Sequence, residues 1–353
     1  MYLNGIGTAS PPTRYTKLDC WEAFRRSEWF ERLSGRTRAL ARAILLSENG
    51  MEARRLAVDS LEEAFRIDPD TLHRRFLEHA PQLAARAGAC ALDQAGLEAL
   101  DIDAIVLSTC TGYLCPGLSG YVSERLGLRR NALAFDLVGQ GCAAALPNMQ
   151  LGRALLESGQ SCRNVLSICV EISSAAMYLD DDAGVMVSAC LFGDGAGAAV
   201  LSNSALAGRR PVLWQDSESL LDPTRRDALM FEQRSGMLRN VLTRPVPDLA
   251  ANYVGQVLEV LLGRARLALP EIRAWIMHAG GRDVLRALEQ RLGLRPEELR
   301  YSAKVLREYG NLSSAFVYFV LQAALADGAA GGWWWLGSFG AGFSCHGALL
   351  KVD

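Results

Sequence analysis

The sequence predicts an α/β protein assembled from two similar halves, and three observations carry that reading. Apolar strand runs alternate with helical segments along the whole chain. Two glycine-rich strand pairs, Ala189–Leu201 and Gly337–Lys351, fall at corresponding places. At 353 residues the chain is longer than one hydrophobic core usually serves. The halves are drawn at residues 1–205 and 206–353.

Taken in order, the start Met1-Tyr-Leu-Asn-Gly-Ile-Gly7 reads as a strand. Asp103–Cys110 is a buried strand, Pro116-Gly117 opens a helix through Leu126, and Ala132–Val138 is the next buried strand. Cys142–Glu157 is expected as a helix ending near Ser158-Gly159. Pro147 lies early enough to bend it without breaking it. Asn164–Val170 is a strand, and Ala189–Leu201 reads as two short strands around a glycine turn. Gly195–Gly197 is no dinucleotide fingerprint, because no long helix follows. Ser202–Arg244 is more polar and less regular, so it is expected to connect the halves, with a loop over Asp222–Ser235. The second half supplies a strand at Trp275–His278, helices at Arg282–Leu292 and Leu312–Leu325, and a strand at Trp333–Leu336.

Composition narrows the function. A net charge of −2 gives no reason to expect a nucleic-acid partner. No apolar run reaches the roughly 18 residues of a membrane helix, and the start lacks a signal peptide's basic-then-apolar layout. Nine scattered cysteines fit a reducing, cytoplasmic compartment. Cys110 and Cys115 have no second Cys/His pair to complete a zinc site, so no metal is expected.

Three motifs carry chemistry. Cys142 stands in Gly-Gln-Gly-Cys-Ala-Ala, where a strand run breaks at glycines and re-enters as a helix. Helix-start N–H groups favour a thiolate there. Of four histidines, His73 and His79 lie in an Arg/Glu-rich helix and His346 on the final strand. His278 ends the apolar strand Ala-Trp-Ile-Met and precedes Ala-Gly-Gly, the setting of a positioned base. Asn311, in Tyr-Gly-Asn-Leu-Ser-Ser-Ala, is either a helix cap or an amide aimed at an oxyanion. Together they support acyl transfer. The thiolate, paired with a His278 imidazolium, takes an acyl group from a thioester. Decarboxylation of a malonyl thioester then makes an enolate, which His278 and Asn311 stabilise. No carboxylate is needed, because loss of carbon dioxide generates the carbanion.

These motifs, with Leu-Phe192-Gly-Asp-Gly, resemble those of the type III polyketide synthases, the chalcone and stilbene synthase family, and the resemblance runs along nearly the whole chain. It implies a duplicated thiolase-like αβαβα sandwich and a homodimer. It implies acyl-CoA and malonyl-CoA as substrates, with no cofactor beyond these thioesters. It implies Cys142 as nucleophile, His278 and Asn311 as oxyanion donors, and Phe192 as an aromatic gatekeeper. By the same resemblance Arg32 and Arg36 hold CoA phosphates, Cys110, Ser173, Ala176 and Ser313 shape the cavity, and Cys115 reaches toward a partner subunit. Three positions depart from the family pattern. Ala279 replaces the proline after the histidine. Ser338-Phe339-Gly-Ala-Gly342 loses a proline beside the cavity, with Phe339 still among the substrate-binding positions. Arg239 stands about where plant members place a second gatekeeping phenylalanine, and a charge there would meet pantetheine or a carboxylated starter.

Two other readings use the same residues. A β-ketoacyl-carrier-protein synthase of the fatty-acid initiation type also uses Cys, His and Asn, but performs one condensation. A catalytically silent thiolase-fold partner would lose the nucleophile, which this chain keeps.

Overall fold

The computed structural model describes residues 1–158 and 162–353. Its strands are β1 (Tyr2–Ala9), β2 (Arg14–Thr16), β3 (Ala53–Arg55), β4 (Ala104–Ser108), β5 (Leu133–Leu137), β6 (Asn164–Glu171), β7 (Gly195–Ser202), β8 (Val212–Leu221), β9 (Leu229–Arg234), β10 (Met237–Leu242), β11 (Ile272–Met277), β12 (Gly332–Gly340) and β13 (Ser344–Val352). Nine of them form a continuous sheet in the order β11-β12-β13-β8-β1-β7-β6-β4-β5, while β2–β3 and β9–β10 pair separately. A single ladder pair, Tyr2 with Leu213, joins β1 to β8 at the centre. Outward from this seam both sides run the same way. The first two neighbours are antiparallel, β7 and β6 on one side and β13 and β12 on the other, and then β4 or β11 lies parallel. Only the first side continues, to β5.

The layers follow from which faces are apolar. Helices Ala145–Glu157 and Phe316–Ala326 each touch strands of both sheet sides and lie between them. Phe316-Val-Tyr-Phe-Val-Leu is accordingly buried on every face, as a helix with sheet on two sides must be. Pro69–Ala95 and Leu118–Leu126 cover the outside of β1, β7, β6, β4 and β5, and Val246–Ala265 covers β13, β8 and β12. Helix, sheet, helix, sheet, helix is the expected five-layer sandwich. Among the described residues no helix is long and apolar enough to cross a membrane.

Several elements differ from the sequence reading. The apolar run Ala132–Val138 does not make a buried strand. β5 is the sheet's outer edge, leaving Leu133, Phe135 and Val138 at 40%, 36% and 57% exposure. Ala189–Leu191 ends a helix, Ala183–Leu191, which starts where Asp182 accepts from the Gly184 and Val185 N–H groups, so only β7 follows. Ser202–Arg244 is more ordered than a connection. It holds β8 at the centre of the sheet and the β9–β10 hairpin. The helix expected from Cys142 begins at Ala145, and Cys142 sits in a tighter turn, Gly141–Ala143. Ser158 caps that helix, and Gly159 lies outside the described residues.

Candidate active site

Cys142 is held by close backbone packing. Gly141 has a left-handed φ of 53°, which a side chain would strain. The end of β12 presses on the same turn: a Cβ on Gly340 would stand 2.5 Å from Ala143 N and 2.9 Å from Cys142 N. Ser338 Oγ donates to Ala143 O at 3.0 Å. The thiol is therefore fixed by a strand from the other side of the sandwich.

His278 follows β11 and donates its backbone N–H to Gly337 O at 2.9 Å. Phe316 and Phe339 meet its ring edge-on, with centroids 5.3 and 5.0 Å away. Phe339 thus packs against the histidine as part of the core. Nδ1 is buried without a partner. Asn311 is not the helix N-cap that one sequence reading offered: Leu312 holds that place before the short turn and Ala315 before the helix. Its Oδ1 accepts from Ser313 N at 2.9 Å, just ahead of the short turn Ser313–Ala315. That bond orients Nδ2 the opposite way, with only a long contact of 3.4 Å to Gly280 O. A Cβ on Gly280 would lie 3.7 Å from Asn311 Nδ2 and 4.0 Å from His278 Nε2, so both nitrogens border one small space. Phe192 is tied to the same strand end: Asn311 N donates to Leu191 O at 2.9 Å, and Gly193 N to Asn311 O at 3.0 Å.

Ser313 Oγ lies 3.2 Å from Cys142 Sγ, 3.5 Å from Cys110 Sγ and 3.4 Å from Glu171 Oε1. Glu171, fully buried at the end of β6, also accepts from Cys110 N and Thr111 Oγ1, each at 3.0 Å, and from Ser314 Oγ. A carboxylate therefore stands one serine away from the thiol, where the sequence reading expected none. Its signal in the sequence is slight: one charge closing an otherwise apolar strand.

Electrostatics oppose the expected thiolate–imidazolium pair. Burial pushes the Cys142 thiol up to about 12, the Ser313 hydrogen bond opposes this, and the Glu171 charge adds to it. Burial pulls His278 down to about 3. Burial thus drives both groups toward their uncharged forms.

Beside this floor opens a narrow cleft, walled in part by Ser313, Cys110, Ser173, Ala176 and Phe192. Other expected substrate residues lie elsewhere. Arg32 pairs with Glu28 at 2.8 Å over Trp29 on an exposed helix, and Arg36 is exposed outside the cleft. Cys115 is exposed on the loop before Leu118–Leu126. Arg239 meets Asp180, Glu232 and Asp182 at 2.7, 3.1 and 3.7 Å. Alternation along β10 sends Asn240 into the cleft wall while Arg239 faces these carboxylates. Among the described residues no group of three or more His, Cys, Asp or Glu is placed to hold a metal ion.

Residues 223–352 match the family model "Chalcone and stilbene synthases, C-terminal domain", and residues 43–213 match "FAE1/Type III polyketide synthase-like protein". The chain is 32% identical over 352 residues to a 1,3,6,8-tetrahydroxynaphthalene synthase of Streptomyces peucetius subsp. caesius, covering 98% of this chain and 92% of the relative. It is 29% identical over 339 residues to a 3,5-dihydroxyphenylacetyl-CoA synthase of Streptomyces toyocaensis, covering 92% and 82%. The crystal structure of PKS-I from the brown alga Ectocarpus siliculosus superposes with a TM-score of 0.89 at 25% identity, covering 99% and 98%. The C-terminal type III domain of a type I/III hybrid synthase from Dictyostelium shares the fold, with a TM-score of 0.89 at 22% identity and 99% coverage of both chains. Likeness of this extent to a curated synthase settles the family: the chain belongs to the type III polyketide synthases, acyltransferases that work on CoA thioesters.

Proposed function

We propose that Cys142 carries the growing acyl chain, and that His278 and Asn311 stabilise the enolate of the extender. The observation behind this reading is the convergence of Asn311 Nδ2 and His278 Nε2 on the space beside Gly280. In loading, the Cys142 sulfur attacks the thioester carbonyl and the bond to CoA sulfur breaks. A neutral imidazole offers one lone pair and one N–H, so His278 takes the thiol proton and returns it to the leaving CoA. In extension, malonyl-CoA loses carbon dioxide, and its enolate oxygen accepts hydrogen bonds from His278 and Asn311. The enolate carbon then attacks the Cys142 thioester, releases the cysteine, and leaves a chain two carbons longer on CoA.

The two curated relatives are named for phenolic compounds, which supports ring closure of the finished chain. The exposed edge of β5 supports a homodimer. Its Leu133 and Phe135, with the adjoining Val138 and with Tyr113 at 73% exposure, offer apolar area and unpaired strand N–H groups to a second copy. Nine free thiols support a reducing, cytoplasmic setting. The strand directions on either side of the β1–β8 seam support a division near residue 205.

Separate assays of loading and of malonyl-CoA decarboxylation test the roles. Cys142→Ala is expected to abolish loading and keep decarboxylation. Asn311→Ala is expected to keep loading and lose decarboxylation, and His278→Ala to harm decarboxylation chiefly while also slowing loading. Loss of loading in all three variants would overturn this division.

A further inference from the structure

The cleft beside Ser313 encloses about 30 Å³, room for a water molecule or two. An acyl chain growing on Cys142 cannot enter it until a wall gives way. Most of the wall is fixed. Arg54 and Leu56 are buried, and Arg54 donates to Ala189 O and Phe192 O. Ser173 Oγ donates to Gly193 O, and Cys110 N to Glu171. Phe231 and Asn240 differ. They stand opposite each other on the β9–β10 hairpin, which among the described residues no ladder joins to the nine-stranded sheet. The base of the hairpin is pinned, since Thr243 N and Oγ1 both donate to Ala228 O at 3.0 Å and Leu229 is buried. Farther out, side chains hold it to the body. Asn240 Oδ1 accepts from Ser188 Oγ at 3.1 Å, and the tip, Gly236, lies beside Pro69. Arg239 Nη1 meets Glu232, its own cross-strand partner, whereas Nε reaches Asp180 at 2.7 Å and Nη2 reaches Asp182 at 3.7 Å. Arg234 adds a contact of 3.8 Å to Asp180. These aspartates belong to the body: Asp182 caps the Ala183–Leu191 helix, and Asp181 between them accepts from Ser34 N at 2.8 Å.

We propose that the β9–β10 hairpin is a hinged flap over the cleft, and that Arg239 is a positioning residue that latches it shut on Asp180 and Asp182. The inference rests on the reading of Cys142 as acyl carrier, whose chain the cleft would house. Ion pairs of this kind suit a latch. Asp180 and Asp182 keep 26% and 50% of their side chains exposed, so water replaces Arg239 when the pairs part, and each pair contributes little. With the latch closed, Phe231 and Asn240 stand in the cleft wall and leave no room for a chain. With it open, they swing outward about the Ala228–Thr243 base and admit one. Arg239 thereby sets the fraction of enzyme able to accept an acyl group, and apparent affinity is reduced by that fraction.

The test follows acylation of Cys142 by butyryl-CoA, read as peptide mass over a range of concentrations, in the wild type, Arg239→Gln, Arg239→Lys and Asp180→Asn. Arg239→Gln is expected to lower the half-saturating concentration about three- to tenfold, as loss of two weak ion pairs allows, and to keep the saturating rate. Asp180→Asn should act in the same direction and less strongly, and Arg239→Lys should stay near the wild type. A variant that only damaged the fold would lose rate and gain no affinity. An unchanged or raised half-saturating concentration in Arg239→Gln would overturn the proposal, and so would an Arg239→Lys variant changed as much as Arg239→Gln. Should Arg239→Gln fail to fold, Asp180→Asn decides by the same criterion. Trypsin cleavage after Arg234, 58% exposed near the tip, gives a second readout and should be faster in Arg239→Gln and Asp180→Asn. Equal cleavage in all forms would overturn the flap. A wild type that carries butyryl on another cysteine would instead remove the reading of Cys142, and trypsin cleavage then still decides the flap.

Discussion

Glu171 and His278 are buried equally deeply, at 0 and 1% exposure, on two sides of the reacting space, yet their surroundings have little in common. Glu171 accepts hydrogen bonds from Cys110, Thr111, Ser313 and Ser314. His278 has two phenylalanine edges and an unpartnered Nδ1. Desolvation raises the carboxyl pKa and lowers the imidazole pKa, each toward its neutral form. On the Glu171 side hydrogen bonds oppose that drift, and on the His278 side none does. The polar floor thus holds Ser313 against the thiol, while the dry wall drives the imidazole toward its uncharged form.

The difference breaks most visibly at the dry wall. Replacing either proposed enolate donor, in His278→Ala or Asn311→Ala, is expected to slow malonyl-CoA decarboxylation about 100- to 1,000-fold, read as released carbon dioxide. An unchanged rate in either variant would take that residue out of the mechanism.

The second prediction concerns pH. A thiol held near 12 is protonated at neutrality, so only a small thiolate fraction reacts. Alkylation of Cys142 by iodoacetamide in the free enzyme should rise about tenfold per pH unit from pH 7 to 9, tracking that fraction. A plateau beginning near pH 6 would mean that the site holds a thiolate–imidazolium pair after all.

Glu171→Gln sharpens the contrast from the polar side. It leaves buried donors facing an amide and is expected to cost about 1–3 kcal/mol in denaturant unfolding. It also removes a charge that raises the thiol pKa, so alkylation at pH 8 should become faster. A slower reaction would show that Glu171 does not act on the thiol as a like charge. Ser313→Ala is the smallest change. Loss of its hydrogen bond to sulfur should slow alkylation at pH 8 by about fivefold, the worth of one such bond. No change would mean that the contact does not favour the thiolate.

The sequence disclosed the dry wall better than the polar floor. His278 and Asn311 stand where apolar segments break at glycines, and those breaks survive as a strand end and a short turn. Glu171 was hidden because its partners come from Cys110–Thr111 and Ser313–Ser314, segments distant in sequence and brought together only by β6 and the central helix. Arg54 is not singled out by any motif, and its burial in β3 under the Ala183–Leu191 helix end is a tertiary fact. The exposure of β5 was equally illegible: an apolar strand looks the same at a sheet's centre and at its edge, and strand order decides.

The central claim is that one sulfur, Cys142, carries the acyl chain, although Cys110 shares Ser313 with it. Peptide mapping by mass spectrometry, after brief incubation with an acyl-CoA and acid quench, tests this directly. The expected result is the acyl mass on the Cys142 peptide and its loss in Cys142→Ala. Acyl mass on Cys110, or undiminished labelling of Cys142→Ala, would contradict it.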